Sequence, residues 1–224
     1  MLKRCFLVFL ILTGLLEART CRFLFLNAPA GAPDSLVLFD GESSQKVALP
    51  RMNFSPPYSL RKGELTLRLL EKEPAAGEEV PRKAPALRLP AAVSDCFILL
   101  VPAGEGQAGG FRMELINANP DQFQKGEMLW LNLTGLTIGG VVGERRLMLK
   151  PRSRLILPRP STRKGGYPVN LAFQIPGDER VHPLTETQWT FDPQSRSVQF
   201  VVREKGRRAP RILGFSDFRG GAEE

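Results

Sequence analysis

One apolar phrase written twice constrains this chain more than any other feature. LFLN at 24–27 returns as LWLN at 129–132, and further matches follow in the same order. DGE (40–42) is answered by GE (143–144), VALP (47–50) by LMLKP (147–151), and RKG (61–63) by RKG (163–165). Each RKG leads into an alternating run, LTLRL or VNLAF. FILLV (97–101) then matches VQFVV (198–202), and FRMEL (111–115) matches RILGF (211–215). The offset drifts only from 105 at LFLN to 101 at FILLV. A spacing kept through several elements is the mark of an internal repeat. The chain is expected to build one plan twice.

The plan is a β plan. Short runs rich in Val, Leu, Ile and Phe lie between turn residues: RFLFL (22–26), SLVLF (35–39), LTLRLL (65–70), CFILLV (96–101), FRMELI (111–116), MLWLNL (128–133), RLMLK (146–150), RLILP (154–158), VNLAFQI (169–175), QWTF (188–191) and VQFVV (198–202). Their lengths and their Gly and Pro punctuation are those of strands in sandwiches or barrels. WTFDPQSRSVQFVV reads as a hairpin turning at Asp192 and Pro193, with Trp189 and Phe191 on one strand face. Seven or so strands per copy predict an all-β protein of two tandem immunoglobulin-like β-sandwich domains, residues 21–118 and 122–218, joined by NANPDQFQKG. Residues 219–224 form a C-terminal tail.

The N-terminus sets the compartment. Lys3 and Arg4 precede CFLVFLILTGLL (5–16), and Ala18 offers a small residue for cleavage, so residues 1–18 read as a secretory signal peptide. Its apolar run is short of the roughly 20 residues that span a bilayer. The mature chain then keeps Cys21 and Cys96 where disulfides persist. A bridge between them would close a long loop, a stabilisation of roughly 4 kcal/mol in the chain-entropy model; two buried thiols are the other reading.

The segment LFLNAPAGAPDSLVLFDGE (24–42) resembles the start of extracytoplasmic β-sandwich domains of unknown function found in exported bacterial envelope proteins. These begin with a strand, an Asn-Ala-x-Pro-like turn and a strand ending in Asp-Gly. The second half is similar to exported proteins sharing a Trp-x-(Phe/Tyr)-x-Pro-x-x-Arg segment, here Trp189, Phe191, Pro193 and Arg196. The resemblance implies a periplasmic or extracellular sandwich and carries no known activity.

Motifs for chemistry are sparse. His182 is the single histidine, and no cysteine pair has metal-ligand spacing. No Gly-x-Ser-x-Gly elbow and no phosphate-cradling GxxxxGK loop occurs. His182 with Asp178, Asp192 or Glu186 reads as solvated surface before it reads as a catalytic set. Glu78 and Glu79 lie in a Pro-rich crossover, and Asp34 and Asp40 occupy positions where turns use Asp, although both could ligate calcium. Trp130 and Trp189 sit at alternating apolar positions and are expected in the core. No enzyme activity, metal or cofactor is called for.

Charge is the informative feature. Residues 21–117 hold 11 Lys and Arg against 11 Asp and Glu, whereas residues 122–224 hold 17 against 10. The basic excess belongs to the second copy, and its last cluster is Arg203, Lys205, Arg207, Arg208 and Arg211, in a loop between two strands. Arginine there suits bidentate contact with phosphate, carboxylate or sulfate; a solvated face that keeps the protein soluble is the plainer reading. Export and the scarcity of aromatics near the loop argue against nucleic acid, and membrane contact would be limited to an uncleaved signal or peripheral binding. The expectation is an exported, non-catalytic interaction or structural module of the cell envelope, with an anionic envelope polymer or a protein as partner. A surface-polymer hydrolase with unidentified acidic residues is the alternative, and assembly through strand edges a third.

Overall fold

The computed structural model describes residues 19–75, 77–103, 110–204 and 206–218. The expected signal (1–18), Lys205 and the C-terminal tail (219–224) lie outside the described residues. Among the described residues the chain forms sixteen strands and no helix. The first eight are β1 (Arg19–Phe25), β2 (Ser35–Phe39), β3 (Ser44–Ala48), β4 (Tyr58–Leu60), β5 (Leu65–Leu70), β6 (Ala86–Leu89), β7 (Asp95–Pro102) and β8 (Phe111–Asn117). The second eight are β9 (Met128–Asn132), β10 (Thr137–Val142), β11 (Arg145–Leu149), β12 (Arg154–Leu157), β13 (Gly165–Gln174), β14 (Val181–Phe191), β15 (Ser195–Val202) and β16 (Arg211–Phe218).

The repeat is visible in the strand orders. The first copy gives β4-β1-β7-β8 and β3-β2-β5-β6, and the second gives β12-β9-β15-β16 and β11-β10-β13-β14. Adding eight to each label of the first pair reproduces the second. In both copies the first strand runs parallel to the seventh, β1 beside β7 and β9 beside β15. Two β-sandwiches on one plan follow, with eight strands each where about seven were expected. The immunoglobulin order is not what the sheets show: there the first strand shares a sheet with the second, whereas β1 pairs with β4 and β7, away from β2.

Four sheets stack as layers around three cores. Cys21, Phe23 and Phe25 of β1 and Ile98 and Leu100 of β7 meet Leu38, Val47 and Leu67 inside the first sandwich. Trp130, Val201, Ile138, Leu147, Val169 and Phe173 fill the second. Between them lies a third core, where Leu24, Phe97, Leu99 and Ile116 pack against Leu129, Val198, Phe200 and Phe215. The sheets containing β7 and β15 are therefore covered on both faces. That is why CFILLV reads as a continuous apolar run rather than an alternating one.

Three details of the sequence alignment change. Leu24 lies opposite Leu99 but Leu129 lies opposite Val198, so the copies differ in register by two residues from the FILLV–VQFVV match. A two-residue slip keeps every side chain on its own face. The last strands match one residue away from FRMEL–RILGF: Phe111 and Met113 enter the first core, Arg211 is exposed, and Phe215 takes the junction position of Ile116. The expected hairpin at Asp192 and Pro193 is a crossover between layers, because both sides of β15 are already taken by β9 and β16. Trp189 and Phe191 do face one core together.

Where copies meet, a buried ionic cluster replaces apolar contact. Arg196 on β15 is 4% exposed and uses every N–H of its fork. Nε and Nη2 reach Asp217 Oδ2 at 2.9 and 2.6 Å, and Nη2 also reaches Asp95 Oδ2 at 3.1 Å. Nη1 donates to the carbonyls of Ala118 and Phe123. Arg22 meets Asp217 from the first copy at 2.8 Å, and the Arg196 guanidinium lies 4.8 Å from the Phe123 ring centre. Asp95 opens β7 and Arg196 lies at the start of β15, so corresponding strands of the two copies carry opposite charges that face each other. The connecting segment is held in place too: Asn119 Oδ1 accepts from the amides of Ser94 and Asp95.

Candidate functional site

The basic loop joins β15 to β16, as the spacing of the final runs predicts. Its arginines are not equally free. Glu204 takes Arg207 at 3.0 Å and Arg211 at 2.8 Å, while Arg208 stands 3.8 Å from Asp178. Such exposed pairs contribute about 0–1 kcal/mol and exchange readily. Arg203 makes a long contact from Nε to the Arg207 carbonyl, 3.5 Å, and borders both the surface of the loop and the junction cleft.

At that junction the structure adds a feature that sequence reading missed. The strands β7 and β15 start at the Arg196 cluster and end at a cleft of about 520 Å³. Its floor is apolar, with Leu26, Val101, Leu131, Leu133 and Val202, and its rim carries Arg112, Glu114, Arg152, Arg154 and Arg203. Equivalent residues of the two copies line it in pairs: Leu26 with Leu131, Asn27 with Asn132, Val101 with Val202. Pro102 stands where the second copy has Arg203. Ile116 and Ile156 face the junction core, so Arg112, Glu114 and Arg154, at two-residue spacings from them, face the same way. Arg112 is bound to Glu114 at 2.6 Å. Among the described residues Arg152 and Arg154 have no ion-pair partner. The only sequence signal was the count of arginines between 145 and 164, which does not say that some of them meet the first copy.

The remaining candidates take structural places. Cys21 and Cys96 are registered partners on parallel β1 and β7, fully buried, and both are free thiols. The expected bridge is not formed: neighbours across a parallel ladder stand about 4.8 Å apart with side chains side by side, whereas a disulfide draws Cβ atoms to about 3.8 Å. Burial, and then the neighbouring Cys96, push the Cys21 thiol far above its usual range. His182 stacks on Phe173 at 5.2 Å and faces Asp178 at 3.4 Å. Trp130 is fully buried and stacked on Trp189 at 5.9 Å. Among the described residues no group of three His, Cys, Asp or Glu side chains could hold a metal.

Asp34 and Asp40 are turn residues. Asp34 pairs with Arg51. Asp40 Oδ1 accepts from the amides of Glu42 and Ser43, and Oδ2 from Ser43 Oγ and Arg61 Nε. Burial alone would raise the Asp40 carboxyl, but Arg61 and these turn donors outweigh it and hold the pKa at about 2, below the usual 3.8. A depressed folded pKa gives stability that is complete above the unfolded value and lost as pH falls from about 4 through 2. Asp40→Ala should cost on the order of 2 kcal/mol at neutral pH. Urea titrations at pH 6 and pH 2.5 should show the two proteins converging in acid; a gap that stays constant with pH would refute the assignment.

A second concavity, in the first copy, is lined by Glu71, Glu78, Glu79, Lys72 and several prolines. Glu78 is a loop clamp, accepting from the amide of Ala75 and pairing with Lys72. The Ala75 amide, with help from Lys72, holds its carboxyl below the usual range. A glycosidase acid needs the opposite shift. The outer edge strands carry Arg145 and Arg146 on β11 and Pro183 with a register irregularity on β14, devices that blunt edge pairing. Compared with known proteins, no family model matches the chain, and no curated protein matches it either.

Proposed function

We propose that this chain is an exported, non-catalytic interaction module of the cell envelope that holds an anionic polysaccharide against its second sandwich. The observation that carries the reading is the charge asymmetry: 17 Lys and Arg against 10 Asp and Glu in the second half, beside a balanced first half. The arginines of the β15–β16 loop stand 62–74% exposed at Arg207, Arg208 and Arg211, where a polymer can reach them. The envelope assignment rests on the signal-like N-terminus and on the resemblance to exported sandwich domains.

Binding of this kind steepens at low salt, because exposed charges are screened beyond about 8 Å at physiological ionic strength. Replacing Arg207 and Arg208 with Glu leaves strands and core alone and sets two new carboxylates beside Glu204. Retention on an anionic polysaccharide matrix at low salt should fall for this variant and stay unchanged for a control with Arg82 and Lys83 reversed. Equal retention of all three would reduce the cluster to a solubility feature. Retention on anionic vesicles but not on the polysaccharide would replace the proposed partner with a membrane surface.

A further inference from the structure

We infer that the junction cleft is a binding site for a small amphiphilic oxyanion: a carboxylate or phosphate head among Arg152, Arg154 and Arg203, with an apolar body on Leu131, Leu133 and Val202. The inference goes beyond the proposed function by naming a second contact, in the open cleft at the junction, beside the exposed loop. Four observations support it. The cleft volume, about 520 Å³, lies within the range of small-molecule sites, roughly 300–1,000 Å³. Its floor continues the junction core, so an apolar group there replaces water at an already apolar surface. Its rim offers planar guanidinium forks, the groups that hold carboxylate and phosphate by paired hydrogen bonds. Glu114, the carboxylate on the rim, is already taken by Arg112.

The backbone of Arg152 adds a fifth observation. Its φ is 50°, in the left-handed region that a residue with a long side chain rarely occupies. The turn that imposes this conformation is tightly held: Arg152 N donates to Thr134 O at 3.0 Å, and Ser153 Oγ donates to Lys150 O at 2.7 Å. Glycine would suit the position better for folding. An arginine kept where glycine fits, at the rim of a cleft with two other arginines, points to a task for the side chain rather than the backbone.

The test follows from that conflict. The full chain is titrated with hexanoate, hexyl phosphate, inorganic phosphate and hexanol while the arginine Nε–H resonances are observed by NMR. Hexanoate or hexyl phosphate should saturate one site, shift Arg152, Arg154 and Arg203, and bind about tenfold more tightly than head or body alone. Arg154→Ala should weaken binding about tenfold. Arg152→Gly should weaken it too, with a thermal midpoint equal to or above that of the wild type, a combination that a purely structural arginine would not give. Hexanol binding as well as hexanoate, shifts confined to Arg207, Arg208 and Arg211, or affinities unmoved by both variants would each overturn the site. The readings separate cleanly. Loss of polysaccharide retention in the Arg207→Glu, Arg208→Glu variant with hexanoate binding intact supports both. Hexanoate binding without any polysaccharide retention by the wild type removes only the polymer reading, and retention without hexanoate binding removes only the cleft.

Discussion

Arg196→Ala should cost the protein about 3–5 kcal/mol, the loss expected when one partner of a buried ion pair is removed. The guanidinium serves Asp95 and Asp217, 4% and 0% exposed, together with the carbonyls of Ala118 and Phe123. Its removal strands two carboxylates and two carbonyls where water is scarce. Arg22 still reaches Asp217, so that carboxylate keeps one cation; Asp95 keeps the Thr20 hydroxyl at 3.0 Å. Arg196→Lys should recover little of the loss, since a point charge cannot replace five donors in a fixed fork. Arg196→Met combined with Asp95→Leu should fare better than Arg196→Ala, because it removes a buried charge along with its partner. Urea denaturation of the four proteins checks this, and a loss below about 1 kcal/mol for Arg196→Ala would mean that the cluster is hydrated.

The same residue shows how far sequence reading reached. Arg196 was singled out as part of the Trp189-Phe191-Pro193-Arg196 segment, but its role was not legible. A buried arginine and an exposed one are the same letter, and its partners Asp95 and Asp217 are 101 and 21 residues away. The repeat, by contrast, was legible, since LFLN and FILLV and their copies supply buried positions of β1, β7, β9 and β15, and each RKG marks the turn that enters β5 or β13. The asparagines ending LFLN and LWLN matched as letters and diverge in use: Asn27 is an exposed turn residue with φ 52°, while Asn132 is buried and joins Leu136 O, Lys150 O and Thr134. Layer assignment also escaped. The Asp192–Pro193 turn has the chemistry of a hairpin, and only the occupancy of both edges of β15 sends it across the sandwich. The cleft escaped for the same reason, being made where two copies meet rather than by any one segment.

Strand β10 was legible only through the repeat, as the element ending before GE (143–144), because TIGGVV carries two glycines, which weaken a strand on propensity grounds. Those glycines, identical in sequence, should respond to alanine in opposite ways. At Gly139 an added Cβ would sit 3.5 Å from the end of the Met148 side chain, ordinary contact with a flexible group at the edge strand. Gly139→Ala should therefore shift stability by less than about 1 kcal/mol, with the sign set by the gain in strand rigidity. At Gly140 the φ is 145°, and a Cβ would fall 2.1 Å from the Asn170 carbonyl oxygen and 2.9 Å from the Leu171 Cα. Both obstacles are backbone of β13, which is itself fixed between β10 and β14. Neither can give way without moving two ladders. Overpacking and an unfavourable backbone conformation each cost about 1–3 kcal/mol, and here they act together. Gly140→Ala should lose on the order of 4 kcal/mol or fail to fold, and paired urea titrations of the two single variants measure the contrast. Equal, small effects at both positions would mean that β10 and β13 lie farther apart than their antiparallel ladder requires.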